Sequence, residues 1–408
     1  MKRTLITNIG MLATPQGTSA RGGRAQGEIC ILKNAWILIE NDLIAQVGNG
    51  AAPAAADAQT INAGGKLVTP GLVDAHTHLI FGGWRQNELA LKLHGAGYLD
   101  ILAAGGGILS TMRATQSASE EQLEAKASAA LDEMLRFGTT TAEAKSGYGL
   151  STGEECKALR VIGNLQKHHV MDLAATFMGA HAVPETYRDN RQGYLELLCE
   201  EMLPAVREQG IAEFCDVFCE KGVFSAEESR RILLTGRQYG LRPKIHADEI
   251  EAIGGSELAG EIGAVSAEHL IVCPPSGIAS MARGGAVACC LPATSFYLGA
   301  AYAPVQDMVQ AGVPVAMATD FNPGSCPCLN MQLVISLGCL RYRLTPEQAL
   351  TAVTLNGAAA ICRADRIGSI EPGKQADILI WNAEDLDYIC YRLGSNLVDT
   401  VIKKGNVD

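Results

Sequence analysis

The sequence predicts an α/β protein: a (β/α)8 barrel of the TIM type with a small β-sandwich domain built from both chain ends. Eight short apolar segments, each ending in polar residues, alternate with amphipathic stretches of helical length between residues 69 and 370. Residues 1–68 and 371–408 instead contain β-rich runs separated by turn-forming residues, a pattern typical of strands. Apolar residues make up 48% of the 408 residues and charged residues 19%, which supplies a large core and excludes a disordered chain.

The amino-terminal segment is predicted to form strands. Residues 29–48, ICILKNAWILIENDLIAQVG, contain two β-rich runs separated by the turn-forming pair Asn41 and Asp42. A basic start followed by an apolar run is also typical of a signal peptide, but Asn8 and Gly10 interrupt this run. We therefore expect a first strand and no targeting segment.

The barrel elements follow from residue 69 onward. The predicted strands are GLVDAHTH, TTTAEAKSG, LAATFMGAHA, AEFCDVFCE, RPKIHADE, AVSAEHLI, AVACCLPATS and VPVAMATDFNPG. Helices are predicted between them, for example SEEQLEAKASAALDEMLRFG, which ends at Gly138, and SAEESRRILLTGRQYG, which Ser225 opens and Gly240 closes. The last 38 residues return to strands, with turns at 372–373 and 404–405.

The two chain ends are too short to be separate domains. They are expected to form one composite β-sandwich domain, residues 1–68 plus 371–408, beside a barrel domain of residues 69–370.

Charge, hydropathy and cysteine usage exclude several classes of partner. The net charge of −11 repels nucleic acid and anionic lipid, and no basic run offsets it. Residues 284–306 carry no charge over a length that would span a bilayer, but Pro292 and Pro304 interrupt them, so a buried strand with its loop is expected. Thirteen scattered cysteines predict reduced thiols of a cytoplasmic protein and not a disulfide framework.

Polar residues at four predicted strand ends suggest a metal site. His76 and His78 lie two apart on one strand and point to the same side. His246 ends RPKIH, and Asp320 ends VPVAMATD. Because the carboxyl ends of barrel strands meet at one mouth, we expect the four side chains to converge. Three imidazoles and one carboxylate suit one zinc or iron ion per subunit, and not magnesium or calcium.

Two further residues could move protons at such a site. Glu249, three residues beyond His246, lies where it could reach a water whose pKa the ion has lowered. His269, at the end of SAEH, could orient that water or stabilise charge on a carbonyl oxygen. The other interpretations are a solvated loop carboxylate and a hydrogen-bonded core histidine. Which of the two residues would be the primary base is left open.

These residues, with VTPGLVDAHTHL and the closing GSIEPGKQADILIWN, resemble the metal-dependent amidohydrolase superfamily, whose members hydrolyse C–N bonds in cyclic amides, amidines and nucleobases. The chain is similar over its length to the imidazolonepropionases, through FGGWRQNEL, GAGYLDILAAGGGILSTMRAT, EAKSGYGL, FMGAHAVPETY, HADE and DFNPGSCPCLNMQ. The resemblance implies ring opening of 4-imidazolone-5-propanoate to N-formimidoyl-L-glutamate, a step of histidine degradation. It implies Glu249, His269 and Asp320 as catalytic residues.

The resemblance also implies the substrate contacts. They come from Arg85, Tyr148, His181, Glu249, Asn322, Gly324 and Ser325. Arg85 offers a planar fork to the propionate carboxylate, with Tyr148 and Tyr98 as hydroxyl donors. The bulky Trp84 and the cysteines that flank Pro327 depart from the family pattern, which bears on the shape of the pocket.

Three alternatives remain at this stage. The same ligand pattern is typical of nucleobase deaminases, which release ammonia, although KSGYGL and DFNPGS favour the first interpretation. A binuclear enzyme would need a metal-bridging carboxylated lysine, for which Lys145 is the candidate. A catalytically inactive binding or scaffold protein would have lost ligands, and the full set is present here. Zinc versus iron, and whether the protein is a homodimer, are left open.

Overall fold

The computed structural model describes residues 2–54, 57–94 and 106–408, and over these residues the strands form two eight-stranded sheets. The first five strands are β1 (Arg3–Thr14), β2 (Cys30–Glu40), β3 (Leu43–Asn49), β4 (Gln59–Asn62) and β5 (Leu67–Pro70). The barrel strands are β6 (Leu72–Asp74), β7 (Thr139–Lys145), β8 (Asp172–Ala180), β9 (Phe214–Cys219), β10 (Arg242–Ala247), β11 (Ser266–His269), β12 (Val287–Cys290) and β13 (Val315–Met317). The last three are β14 (Ile378–Trp381), β15 (Val398–Lys403) and β16 (Asn406–Val407).

Helices connect the barrel strands and cover them. The α-helices are Leu89–Leu93, Ile108–Ser117, Glu120–Arg136, Thr152–His168, Arg191–Leu197, Leu203–Gln209, Ala226–Gln238, Gly255–Glu261, Pro275–Gly284, Pro292–Leu298, Val305–Gln310, Met331–Tyr342, Pro346–Val353, Leu355–Ala360 and Leu386–Tyr391. Short 3-10 helices lie at Gly23–Gly27, Gln86–Glu88 and Glu185–Tyr187, and Leu198–Met202 forms a π-helical turn.

Strands β6 to β13 are parallel and pair in chain order, and the predicted (β/α)8 barrel is confirmed. The barrel closes just beyond its first and last strands. The His78 backbone N–H donates to the Phe321 carbonyl at 2.9 Å, and the Asp320 N–H donates to the His76 carbonyl at 3.1 Å. Closure therefore takes place at the carboxyl ends of the strands, among the predicted metal ligands.

The helix predicted from Ser119 to Gly138 shows why these segments fold as they do. Ser119 accepts a hydrogen bond from the Gln122 N–H, and Gln122 bonds back to the Ser119 backbone, which forms a capping box. The helix ends before Gly138, whose φ of +94° is one that glycine adopts readily. Its buried residues recur every three or four positions: Leu123, Ala127, Leu131, Met134 and Leu135.

The terminal sheet joins the two chain ends. Its order is β16-β15-β14-β5-β1-β2-β3, with β4 paired to β1, and β14 runs antiparallel to β5. It has a hydrophobic cluster of its own that includes Ile6, Ile37, Ile39, Val68, Ile378 and Ile402. The small β domain built from both ends is therefore present. Its exact boundaries, at residues 69 and 371, stay a prediction.

The uncharged segment 284–306 differs in part from the prediction. It contains the buried strand β12, as expected, but the residues after it form the helix Pro292–Leu298 instead of a loop. Proline suits the first turn of a helix because it needs no N–H partner there, and Pro292 occupies that position. Among the described helices, none combines the length and the apolar character that crossing a bilayer requires. All thirteen cysteines are free thiols.

Candidate metal centre and active site

The four predicted ligands converge at the barrel mouth. The Asp320 Oδ1 atom lies 3.3 Å from Nε2 of His76 and 3.6 Å from Nε2 of His78. The Nε2 atom of His246 lies 3.3 Å from Nε2 of His78. His269 joins this cluster, since its ring and those of His76 and His246 place one nitrogen each within 4.8 Å of one another. Residues far apart in the chain thus direct donor atoms at one point.

The chemistry of these donors fits a divalent cation. His76 Nε2 is buried and has no hydrogen-bond partner among the described residues. Burial lowers the pKa of His76 and of His78 well below the usual range, so both imidazoles are neutral and can act as ligands. Burial also raises the pKa of Asp320 to about 6. A carboxylate so poorly solvated is stabilised by a cation, and three nitrogens with one oxygen suit a zinc-like ion.

Two buried carboxylates orient the ligand imidazoles. The Nδ1 atom of His76 lies 2.9 Å from Glu268 Oε2, and the Nδ1 atom of His246 lies 3.1 Å from Asp216 Oδ1. A proton held on Nδ1 by such a partner leaves Nε2 free to bind a metal and fixes the ring plane. Both histidines therefore present Nε2 to the site.

Two buried lysines neutralise these carboxylates. The Lys145 ammonium lies 2.6 Å from Glu143 and 2.8 Å from Asp216, and the Lys244 ammonium lies 3.2 Å from Glu268. Burial alone would lower the pKa of Lys145, but the neighbouring carboxylates raise it above its usual value. An ammonium engaged in two buried ion pairs is not available to carry a carboxyl group, which disfavours the binuclear alternative.

Backbone strain accompanies the site residues. Asp320, His269 and Asp248 have φ values of 56°, 68° and 53°, in the left-handed region that residues other than glycine rarely adopt. All three follow or end barrel strands. Such strain is typical of functional sites, where the surrounding fold holds a side chain in a required direction. The second Asp320 oxygen is fixed by the Thr294 hydroxyl, which donates to it at 2.7 Å.

Glu249 and His269 face each other at the edge of the cluster. The Glu249 Oε2 atom lies 3.6 Å from His269 Nε2, and the Glu249 side chain is 15% exposed. Burial, with the nearby charges of Asp320 and Glu220, raises the pKa of Glu249 to about 8. Burial lowers the pKa of His269 well below its usual value, so this imidazole is neutral. The pair therefore combines a carboxyl group able to hold a proton near neutrality with a neutral ring beside it.

His181 and Tyr148 line the same cluster from the neighbouring loops. The His181 ring stacks on His78 with centroids 4.7 Å apart and planes 15° apart, and its Nδ1 atom lies 3.0 Å from the Gly147 carbonyl. The Tyr148 ring centroid is 5.1 Å from that of His181. Both predicted substrate contacts thus lie beside the predicted metal ligands.

Arg85 is held by a carboxylate that the sequence did not indicate. Its Nε and Nη2 atoms donate to the two Glu88 oxygens at 3.0 and 2.9 Å. Its Nη1 atom packs on Gly324, where an added Cβ would lie only 2.2 Å away. A side chain at position 324 would therefore displace the guanidinium of Arg85. One edge of the predicted fork is therefore occupied by Glu88, and the Nη1 atom lies on the other side of the guanidinium, against Gly324.

Asn322 shapes the loop after Asp320. Its Oδ1 atom accepts from the N–H groups of Gly324 and Ser325, at 2.8 and 2.7 Å. Its Nδ2 atom donates to the Asp320 carbonyl and the Ser325 hydroxyl, at 2.7 and 2.8 Å. These four bonds use the whole amide, so Asn322 orders the loop on which Gly324 and Ser325 lie. Tyr98 falls outside the described residues.

Sequence reasoning missed the residues that support the site. They are Glu88, Glu143, Asp216, Lys244, Glu268 and Thr294, and Lys145 was considered only as a bridging ligand. The available signal was a charged residue within an apolar strand, as in FCDVFC. Such a charge is almost never buried unless it is paired, which points to a network without naming the partner.

Comparison with known proteins assigns the whole fold. A sequence profile of the Amidohydrolase family matches residues 67–407. The imidazolonepropionase of Alkaliphilus metalliredigens (strain QYMF) is 50% identical over 413 residues, which cover 100% of this chain and 98% of the relative. That of Bacillus cereus (strain G9842) is 48% identical and covers 100% and 97%.

Solved structures share the architecture at low identity. Atrazine chlorohydrolase from Arthrobacter aurescens TC1, complexed with zinc, has a TM-score of 0.72 at 19% identity, covering 99% of this chain and 94% of that one. An adenosine deaminase from Xanthomonas campestris with bound zinc has a TM-score of 0.71 at 20% identity, covering 99% and 92%. At such identities the likeness extends to the fold and not to the substrate.

Proposed function

Because this chain belongs to the amidohydrolase family, and matches imidazolonepropionases from end to end, we propose that it opens the ring of 4-imidazolone-5-propanoate by hydrolysis. The product is N-formimidoyl-L-glutamate, and the reaction is a step of histidine degradation. One observation carries the proposal: 50% identity over the whole of this chain and 98% of the relative. The convergence of the predicted ligands and proton carriers at one mouth supports it.

His76, His78, His246 and Asp320 would hold one zinc or iron ion per subunit. Such an ion supplies Lewis acidity to the ring carbonyl and lowers the pKa of a water at the site. The chain's own part is to keep His76 and His78 neutral through burial and to direct Nε2 of His76 and His246 inward through their carboxylate partners. The buried Nε2 of His76, which lacks a partner among the described residues, supports this assignment.

Glu249 and His269 would handle the protons. Hydrolysis adds OH to the ring carbonyl carbon and H to the nitrogen that leaves it. Glu249 takes the proton from the attacking water and delivers it to that nitrogen, and the burial that raises its pKa favours its holding the proton between the two transfers. His269 is neutral and can donate a hydrogen bond to the carbonyl oxygen as negative charge develops on it.

Arg85 would bind the propionate tail through the edge that carries Nη1. The protein has a net charge of −11, so an anionic substrate needs a specific cation. Glu88 fixes the direction of the guanidinium, and Gly324 leaves room for it. Tyr148 lies close enough to the stacked His181 to serve as a second contact. A cytoplasmic location belongs to the proposal, because thirteen free thiols persist in a reducing compartment.

The test is incubation of the purified protein with 4-imidazolone-5-propanoate, following the loss of the ring's ultraviolet absorbance. We expect the absorbance to fall without release of ammonia, a chelator to abolish the activity, and zinc or iron to restore it. Ammonia release from a purine or pyrimidine, with the imidazolone untouched, would favour a deaminase instead. Full activity after complete removal of metal would contradict the assigned ligand set.

A further inference from the structure

We infer that Glu220, to which no metal, substrate or proton-transfer contact was assigned above, is the positioning residue that sets where the Glu249 carboxylate lies. The inference rests on the role proposed for Glu249. Glu220 directly follows strand β9 and is 1% exposed. A buried carboxylate requires partners, and those of Glu220 are backbone groups on the loop that carries Glu249.

The Glu220 carboxylate binds the backbone on the carboxyl side of Glu249. Its Oε2 atom accepts from the Ile250 N–H at 2.8 Å, and its Oε1 atom accepts from the Glu251 N–H at 3.1 Å. Oε1 also accepts from the Lys221 N–H at 2.8 Å, which orients the carboxylate from its own strand. Hydrogen bonds to an ionised acceptor are roughly twice as strong as neutral ones. The two residues after Glu249 are thereby tied to the end of β9.

The backbone on the amino side of Glu249 is tied to the strand of His269. The Ala247 carbonyl accepts from the Leu270 N–H at 3.0 Å, and the Asp248 carbonyl accepts from the Val272 N–H at 2.9 Å. These bonds hold Glu249 beside His269. The hydrogen bonds to Glu220 hold the backbone on the other side of Glu249. The position of the Glu249 Cα atom is therefore fixed from both sides.

The remaining contact of this loop is a weak one. Ile250 is 68% exposed, and the ion pair between Lys221 and Glu251 lies at the surface, with side chains 67% and 49% exposed. Exposed ion pairs contribute about 0–1 kcal/mol. The buried carboxylate of Glu220 is therefore the main constraint on the part of the loop that follows Glu249. A misplacement of about 1 Å at a catalytic group can cost about 100-fold in rate.

The first experiment compares Glu220→Gln and Glu220→Ala with a matched control, Glu251→Ala. The Gln variant keeps one acceptor oxygen and loses the other, whereas the Ala variant loses both. We expect kcat to fall about 10-fold in the first and about 100-fold in the second. KM and metal content should stay within about twofold, since Arg85 and the ligands are untouched. Glu251→Ala breaks only the surface ion pair and should keep kcat within about twofold.

The second experiment is a double-mutant cycle with Glu249→Gln. If Glu220 acts through Glu249, Glu220→Gln should cause no further loss of residual activity in the Glu249→Gln background. A full, additive loss, or a parallel loss of metal content, would show general support of the fold and overturn the inference. An unchanged kcat in both Glu220 variants would overturn it too. If Glu249→Gln itself retained full activity, the proposed proton carrier would fail first, so the two failures are distinguishable.

Discussion

The two ends of the barrel differ in how far their polar side chains are hydrogen-bonded. At the mouth, polar atoms of His76, His78 and His269 are buried without a hydrogen-bond partner among the described residues. At the other end, the Asp172 carboxylate accepts from Lys403, Lys404 and Gln375 at 2.6–2.8 Å. Strand β8 begins at Asp172 and leads to His181 beside the metal ligands, so one strand joins both environments.

This difference separates the residues that stabilise the fold, at one end of the barrel, from the residues available for chemistry at the mouth. Buried polar groups are normally satisfied, and unsatisfied ones are costly unless a ligand completes them. The end of the barrel opposite the mouth, called the paired end here, carries the ion pairs of Asp172 and Asp377. It ties the terminal sheet to the barrel, because Lys403 lies 2.7 Å from Asp172 and 2.7 Å from Asp377. In (β/α)8 barrels the carboxyl ends of the strands serve function and the amino ends serve stability, as seen here.

The largest effect is expected at the mouth, from Glu249→Gln. Loss of the proton carrier should lower kcat about 10²–10⁴-fold. The melting temperature should not fall, because the change removes a buried carboxyl group whose ionisation is disfavoured. Steady-state kinetics and thermal denaturation of the same preparation test both statements. A variant that lost stability in proportion to activity would break the contrast between the two ends.

Arg85→Ala should act on binding. Removing charge-assisted hydrogen bonds worth about 1.5–3 kcal/mol should raise the KM for the propionate substrate about 10–100-fold. Metal content should not change. The control is an imidazolone without the tail, for which the wild-type enzyme should already be poor and the substitution nearly neutral. Equal wild-type activity toward both compounds would remove Arg85 from the substrate site.

The carboxylates behind the ligands should have an intermediate effect. Asp216→Asn leaves His246 without its ionised partner, and metal affinity should fall about 10–100-fold. Competition with a coloured chelator measures this directly. Glu268→Gln should behave in the same way through His76. If neither variant changed metal affinity, the role of these two carboxylates would be to stabilise the fold and not to orient the imidazoles.

At the paired end, Lys403→Met should affect stability only. Its side chain is 3% exposed, and its loss leaves the buried Asp377 carboxylate without its cationic partner, which should lower the free energy of unfolding by about 3 kcal/mol. The half-exposed Lys404 is the control, and Lys404→Ala should cost less than about 1 kcal/mol. Urea denaturation and kcat are the measurements. A change in kcat would mean that the two ends are coupled through β8.

The smallest effect is the acid dependence of the same cluster. Burial alone would raise the pKa of Asp172, but Lys403 and Lys404 lower it to about 2. Since the pKa in the unfolded chain is about 3.9, the stabilisation is complete above pH ~4 and is lost as the pH falls toward ~2. The difference in unfolding free energy between wild type and Asp172→Asn should therefore shrink between pH ~4 and pH ~2. A constant difference would contradict the ionised pairing.

The sequence predicted those features that depend on one segment at a time. The predicted ligands His76, His78, His246 and Asp320 each lie at or just beyond the end of an apolar strand, so strand ends were enough to predict that they converge. Asp216 and Glu268 were missed because their roles arise from pairing across the barrel, with His246 and with His76. No local pattern encodes such a pairing.

The helix Pro292–Leu298 was missed for a related reason. Its short, uncharged sequence has a composition that suits a buried strand as well as a helix, and only its packing against the rest of the chain decides between them.

The closure of the barrel between His76 and Asp320 has a consequence for biosynthesis. A nascent chain emerging from the ribosome carries the first two imidazoles early, but the aspartate and the strand that completes the ring appear only after most of the polypeptide has been made. The full set of predicted ligands can therefore assemble only after the last barrel strand has joined the sheet. The fraction of chains that contain metal would then measure how many have completed the barrel. A translation product truncated before Asp320 would lack a complete set of ligands.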